Sequence, residues 1–355
     1  MLVPLSWIKD YVDIDDIPIE ELAHEITMAG LEVEEIRYVG LELPGADGKP
    51  VEFKATGLAW DPELIVVAEV TAVNPHPDAD RLVLCDLNDG ERDHVVLTGA
   101  PNLFPYKGKG TLETPLKVAY AKLGAVIYDG HKPGLELTKL KKAKIRGVES
   151  YSMICSEKEL GISEEHEGIM FLADDAPTGM PLRDYMGDAV LDIAITPNIA
   201  RNANMLGVAR EIAAVFKREL RKPSLDVEAK AGPIEGKVKI DITDPELNSR
   251  FVFGMIENIE IKPSPGWVQR RLSMAGMRPI SNIVDATNYA MLEWGEPLHA
   301  FDYDILVKRA GGKAPIISTR TAKQGEKLIT LDGEERELDD FTTLVCGEKG
   351  ALALA

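Results

Sequence analysis

Arg278-Pro279-Ile280-Ser281-Asn282-Ile283-Val284-Asp285-Ala286-Thr287-Asn288-Tyr289-Ala290-Met291-Leu292-Glu293-Trp294-Gly295-Glu296-Pro297-Leu298-His299-Ala300-Phe301-Asp302 is the segment around which this chain organises itself. Ile283, Val284, Thr287, Met291 and Leu292 recur at spacings that share one helix face. Gly295 supplies a helix stop. Pro297 biases Glu296 towards extended backbone, so Leu298-His299-Ala300-Phe301 is expected in a strand or tight loop. Helix, stop and strand together should fold His299 back beside the polar face of Thr287 and Asn288. A packed core tolerates that many polar groups only if each finds a partner. Two readings stand: the polar groups line a site, or Thr, Asn and Asp cap the helix and His299 is structural.

Working outward, a helix is expected over 265–274, with strands near Val238-Lys239-Ile240, over 251–256, at Ile316-Ile317-Ser318-Thr319-Arg320 and at Leu328-Ile329-Thr330-Leu331-Asp332-Gly333. That pattern describes an α+β domain. Lys222-Pro223 and Ala231-Gly232-Pro233 read as a linker ahead of it. Leu344-Val345-Cys346 and Ala351-Leu352-Ala353-Leu354-Ala355 run apolar to the last residue. A natural terminus seldom stops inside a buried strand, so the chain is expected to be a fragment.

At the other end, Ser6 reads as the cap of a short first helix. Pro18 opens a second helix, with Ile19, Leu22, Ala23 and Ile26 as its apolar stripe and Gly30 as its terminator. A strand follows at 33–38. This small α/β unit has too little core to stand alone. A strand over 191–195 and a helix from about 203 to 216 (Val208, Ile212, Val215) are expected to return and complete it. What lies between would then be an insertion.

The inserted part has a different grammar. Ile65-Val66-Val67-Ala68-Glu69-Val70-Thr71-Ala72-Val73, then Arg81 to Leu87, Val95 to Asn102 and Lys117 to Ala121 are short strands. Asn88-Asp89-Gly90 is a hairpin turn of the Asn/Asp-Gly kind. Such spacing points to a small β-barrel. Lys139-Leu140-Lys141-Lys142-Ala143-Lys144-Ile145-Arg146-Gly147 is the densest basic cluster of the chain. Lys139, Lys141, Lys142, Lys144 and Arg146 can form a phosphate-contacting stripe. They can equally be a solvated edge whose lysines discourage strand pairing. The edge reading is favoured, because no aromatic residues interleave with the lysines. His76 and Asp80 suggest no metal site, since the prolines and Asp78 explain that loop as turn chemistry.

Composition sets the outer limits. With 355 residues, two or three domains are expected. No signal peptide and no membrane-crossing apolar run is recognisable. Cys85, Cys155 and Cys346 are odd in number and far apart, which argues for a reducing compartment, the cytoplasm, and against a zinc site. A net charge of −19 weighs against general nucleic-acid binding but not against one basic patch on an acidic body. Solubility through net charge explains it as well.

These residues resemble the N-terminal part of the bacterial phenylalanyl-tRNA synthetase β-subunit family over essentially the whole length. The matching stretches are Leu5-Ser6-Trp7 with Gly30-Leu31-Glu32-Val33, His76-Pro77-Asp78-Ala79-Asp80-Arg81-Leu82 with Gly99-Ala100-Pro101-Asn102, and Arg146-Gly147-Val148-Glu149-Ser150 with Met153-Ile154-Cys155-Ser156-Glu157. Gly207-Val208-Ala209-Arg210-Glu211 and the 278–302 segment complete the set. The resemblance implies an α+β multidomain chain: a small α/β module (1–60 and 190–228), an inserted OB-fold β-barrel of the tRNA-binding type (61–189), and a truncated α+β editing domain (229–355). It implies a catalytic α-subunit partner in an α2β2 tetramer, tRNA(Phe) as ligand, and ATP and magnesium as cofactors of the full enzyme, with none in this fragment. It implies that Thr287, Asn288 and His299 line a pocket where tyrosyl-tRNA is hydrolysed. The family's glycine-rich loop and later glutamate would follow Ala355, so a half-walled pocket is expected, with aminoacylation absent and editing crippled or nil. The competing expectation is a free-standing RNA-binding OB-fold protein without catalysis.

Overall fold

In the computed structural model, residues 1–45, 51–230, 232–330 and 333–354 are described; Ala231, Leu331, Asp332 and Ala355, on which parts of the expected linker and strands fall, lie outside them. The chain forms two compact units, one of 1–223 with 262–298 and the other of 224–261 with 299–355.

The first unit holds two larger sheets and two small hairpins. Its four-stranded sheet runs Leu2–Pro4, Asp188–Ile193, Val33–Gly40, Lys54–Ala59 in spatial order. The late strand lies between the two earliest ones and is antiparallel to both. Helices Ile19–Met28 and Met205–Val215 cover this sheet, burying Leu22, Ile26, Val208 and Ile212 against Trp7, Ile36 and Leu191. Asn204 caps the later helix, its Oδ1 accepting the Gly207 N–H at 2.7 Å. Ser6, expected to be a cap, lies inside helix Leu5–Ile8. Its hydroxyl donates instead to Asp188 at 2.5 Å, and its N–H to the same carboxylate at 3.0 Å. Burial nevertheless pushes the Asp188 carboxyl above the usual range.

The second sheet of this unit has five antiparallel strands in the order Met153–Ile154, Thr111–Ala121, Ile65–His76, Ala79–Asn88, Asp93–Thr98. The first and last of these stand at its edges, so the ladder is open. Bulges fall between Val70 and Ala72 and between Pro75 and His76, where the long strand bends. Asn88-Asp89-Gly90 does turn the chain, but Asn88 pairs with Asp93, leaving a four-residue loop and not a tight two-residue turn. The reason is Asp89: its Oδ1 accepts the N–H groups of Glu91 at 3.0 Å and Arg92 at 2.9 Å. Cys85 and Cys155 are buried and free, and burial pushes the Cys85 thiol up to about 12.

The second unit contains a four-stranded sheet, Lys239–Ile242, Ile316–Thr321, Thr343–Gly347, Gly350–Leu354, whose first pair is parallel, and a two-stranded ladder of Lys327–Ile329 with Glu335–Glu337. Helix Tyr303–Arg309 packs Leu306 with Ile317 and Val345. The strand expected over 251–256 forms no ladder. Phe251 and Phe253 still turn inward, edge to face at 5.0 Å, while Val252 and Ile256 stay exposed. Side-chain alternation is present there without a neighbouring strand to pair with.

Candidate functional site

The central segment forms helix Asn282–Trp294 in the first unit. Ser281, at the N-terminal boundary, makes no side-chain cap; Asp285, almost wholly buried, instead ties the helix to the chain that leads into it. It accepts the Ile280 N–H at 2.7 Å and the Ser264 hydroxyl at 2.5 Å. Gly295 ends the helix in the left-handed region at φ +84°, its N–H returning to the Met291 carbonyl at 2.7 Å.

The packed face matches the expected one only at Leu292. Asp285, Tyr289 and Leu292 turn towards the core of the unit, while Ile283, Val284 and Met291 are half-buried. Tyr289 is drawn inward by a ring stack on Trp7 at 4.4 Å and by the Arg271 guanidinium, which donates to its hydroxyl at 2.8 Å. Thr287 and Asn288 are consecutive and half-buried on this helix. The Thr287 hydroxyl donates to the Val284 carbonyl at 2.7 Å, so its proton is engaged and its lone pairs remain as acceptors.

His299 falls in the second unit. It is exposed on irregular backbone, its ring tilted against Phe301 at 4.5 Å. Asp302 then caps helix Tyr303–Arg309 by accepting the Ile305 N–H at 3.0 Å. The structure thus joins Thr287 and Asn288 on one helix and gives His299 to the other unit.

The basic cluster occupies two small hairpins apart from the five-stranded sheet. Val126–Tyr128 pairs with Leu137–Lys139, and Ala143–Ile145 pairs with Val148–Ser150. Arg146 and Gly147, at φ +48° and +88°, make the two-residue turn of the second hairpin. Lys139, Lys141, Lys142, Lys144 and Arg146 are all exposed. Lys142 pairs with Glu149 at 2.8 Å. The other four cations have no ion-pair partner among the described residues and stand free on an acidic protein. The lysines therefore do not lie along an edge of the large sheet.

Between these hairpins and the Thr98-Gly99-Ala100-Pro101 loop opens a cleft of about 630 Å³. Lys141, His131 and His166 stand exposed around it; Ser152, Ile154, Ser156 and Glu159 are buried in it. Sequence reading missed this cleft, because its walls come from separated loops. It also passed over Phe104-Pro105-Tyr106-Lys107-Gly108-Lys109, although there the basic and aromatic residues do interleave. Lys107 Nζ lies 5.9 Å from the Phe104 ring and Lys109 Nζ 6.0 Å from the Tyr106 ring.

His76 Nδ1 accepts the Asp78 N–H at 3.1 Å, which is turn chemistry. No group of three or more His, Cys, Asp or Glu that could hold a metal occurs among the described residues. No helix of the described residues is long and apolar enough to cross a membrane.

Residues 65–181 match the family described as "Putative tRNA binding domain", and residues 247–355 match the "B3/4 domain" family. Over all of its residues the chain is 41% identical to a phenylalanine–tRNA ligase beta subunit of Dehalococcoides mccartyi, spanning 39% of that protein. It is 37% identical to the subunit of the same name from Protochlamydia amoebophila and 38% identical to that from Bacillus cereus, in each case with the whole chain covered and 40% of the relative. The chain therefore spans about two-fifths of the length of these relatives.

Proposed function

The chain belongs to the phenylalanine–tRNA ligase β-subunit family, and from that membership we propose that it contributes tRNA binding and hydrolytic editing of tyrosyl-tRNA(Phe) to a cytoplasmic ligase. In this reading 61–189 is an OB-fold of the tRNA-binding type inserted into an α/β module of 1–60 and 190–228, and 229–355 is the editing domain. The partner is the catalytic α subunit in an α2β2 tetramer. Attachment of phenylalanine, with ATP and magnesium, belongs to that assembly and not to this chain alone.

The physical need for editing is a matter of discrimination. A hydrophobic pocket made for phenylalanine rejects tyrosine by only roughly 10²-fold, since the extra hydroxyl is weakly penalised. A second pocket with buried polar groups aimed at that hydroxyl reverses the preference by about 10⁴-fold, because phenylalanine leaves those groups unpaired. Asn288 and His299 offer donors and acceptors for the ester and the attacking water. Thr287, with its proton held by Val284, offers lone pairs. His299 positions the water or the ester.

What supports this reading most is likeness to these subunits along the whole chain; the part given to Thr287, Asn288 and His299 follows from that resemblance. For the tRNA, the support is the set of cations Lys139, Lys141, Lys144 and Arg146, without ion-pair partners among the described residues, with Lys142 beside them, on a protein of net charge −19. The test is deacylation of tyrosyl-tRNA(Phe) by the assembled enzyme with and without His299→Ala. A fall of tenfold or more in the hydrolytic rate is expected, with aminoacylation intact. Equal rates would remove the role given to His299.

A further inference from the structure

The cleft beneath the basic hairpins has an exposed rim next to the hairpin cations and a buried polar floor. Lys141, Glu167 and the rings of His131 and His166 line it from exposed positions, with the cations Lys139, Lys144 and Arg146 on the hairpins alongside. Carboxylate and hydroxyl stand at its floor, where Glu159 Oε2 accepts the Ser156 N–H at 2.6 Å and the Ser156 hydroxyl at 2.9 Å. A phosphate is repelled by such a floor and held by such a rim. A neutral heterocycle with amino groups suits the floor, since carboxylate and hydroxyl oxygens accept from ring amines. Tyr151, 37% exposed, supplies an aromatic face in the same wall. At about 630 Å³ the cleft is of the size that encloses one small organic group. Its floor residues Ser156 and Glu159 are buried, so the paired bases of a rigid A-form duplex stay at the rim, whereas an unpaired base can turn inward.

We propose that this cleft takes one unpaired nucleotide of an RNA, its base entering against Tyr151 while its phosphates lie on the hairpin cations. The proposal rests on the RNA-binding reading above and adds to it the preference for single strands. It also gives Tyr151 a role that likeness to the family does not assign. Stacking on an aromatic side chain is tolerant of sequence, so any base would serve, with amino-bearing bases favoured by Glu159.

The experiment uses the 355-residue chain and two probes: a single-stranded RNA of about five nucleotides carrying 2-aminopurine at its centre, and a blunt RNA duplex with the same number of phosphates. Binding is read by anisotropy and stacking by quenching of the 2-aminopurine emission. The single strand is expected to bind about tenfold or more tightly than the duplex and to be quenched. Tyr151→Ala should lose about tenfold in single-strand affinity together with the quenching, and leave duplex binding unchanged. Tyr151→Phe, which keeps the ring, should keep both and serves as the folding control. Equal affinity for the two probes, or a Tyr151→Ala effect that is nil or the same on both, overturns the proposal and leaves general RNA binding standing. Failure of both probes and of tRNA(Phe) to bind overturns the proposal and the RNA-binding reading together.

Discussion

Trp7 and Tyr289 stack with ring centroids 4.4 Å apart, joining the first helix of the chain to the segment that carries Thr287 and Asn288. Arg271 completes the junction. Its guanidinium lies 5.5 Å from the Trp7 ring and 5.6 Å from the Trp267 ring, donates to Tyr289 and pairs with Asp10 at 2.7 Å. Trp7 Nε1 donates to the Tyr11 hydroxyl, which donates in turn to Glu293. The helix that bears two of the proposed editing residues is therefore oriented by residues from the start of the chain.

Removing the ring should loosen that orientation. Tyr289→Ala is expected to cost about 2–4 kcal/mol, from lost packing, lost stacking and an Arg271 left without its partner. Tyr289→Phe keeps the stack and should cost about 1 kcal/mol. Denaturant unfolding followed by tryptophan emission measures both. Equal midpoints for the two variants would show that the ring contributes nothing beyond its hydroxyl.

The junction also marks where sequence reading stopped. Gly295 was legible as a helix stop because a left-handed residue at a helix end is a local matter. Of the packed face Leu292 was legible but Tyr289 was not, because its place depends on Trp7, whose position no spacing within 278–302 encodes. Asn88-Asp89-Gly90 was legible as a turn. Its length was not, because Asp89 spends its carboxylate on Glu91 and Arg92 and on tertiary partners. The lysines announced themselves by charge, but their turn at Arg146 sits at a φ that arginine rarely adopts. The cleft needed loops that meet only in three dimensions.

Asp89 gives a pH prediction. Burial alone would raise its carboxyl, but the N–H groups of Arg92 and Glu91, with His94 and Lys122, hold it well below the usual range. A carboxylate depressed in the folded state binds fewer protons there than in the unfolded chain. Its stabilisation is therefore present above the ordinary aspartate range and is lost as the pH falls towards the folded value. Asp89→Asn should lower the melting temperature at about pH 7 and bring the variant closer to the parent protein as the pH drops from about 4 to 2. Thermal melts across that range decide it; a constant gap would mean that ionisation of Asp89 plays no part.

The hairpin cations predict a salt effect. Lys139→Glu, Lys141→Glu and Lys144→Glu together should weaken binding of tRNA(Phe) most at low salt. Each phosphate deprived of its lysine should also reduce the slope of log affinity against log salt by about 1. The three side chains are exposed, so stability should stay within about 0.5 kcal/mol of the parent. An unchanged slope would return these lysines to the role of a solvated face.

Gly295 couples two helices. A Cβ at this position would sit 2.8 Å from Asn204 Nδ2. Asn204 is the cap of helix Met205–Val215: its Oδ1 holds the Gly207 N–H, and its Nδ2 donates to the Arg201 carbonyl at 3.1 Å. Gly295→Ala therefore carries two costs. The left-handed conformation is about 1–2 kcal/mol worse for alanine, and displacing the cap adds about 1 kcal/mol. With Asn204→Ala already in place there is no cap left to displace, so adding Gly295→Ala should then cost only the conformational part. The double-mutant cycle should show a coupling of about 1 kcal/mol between the two positions. Strict additivity would mean that the end of the central helix and the start of the other do not feel each other, and that the close approach at Gly295 is relieved without moving the cap.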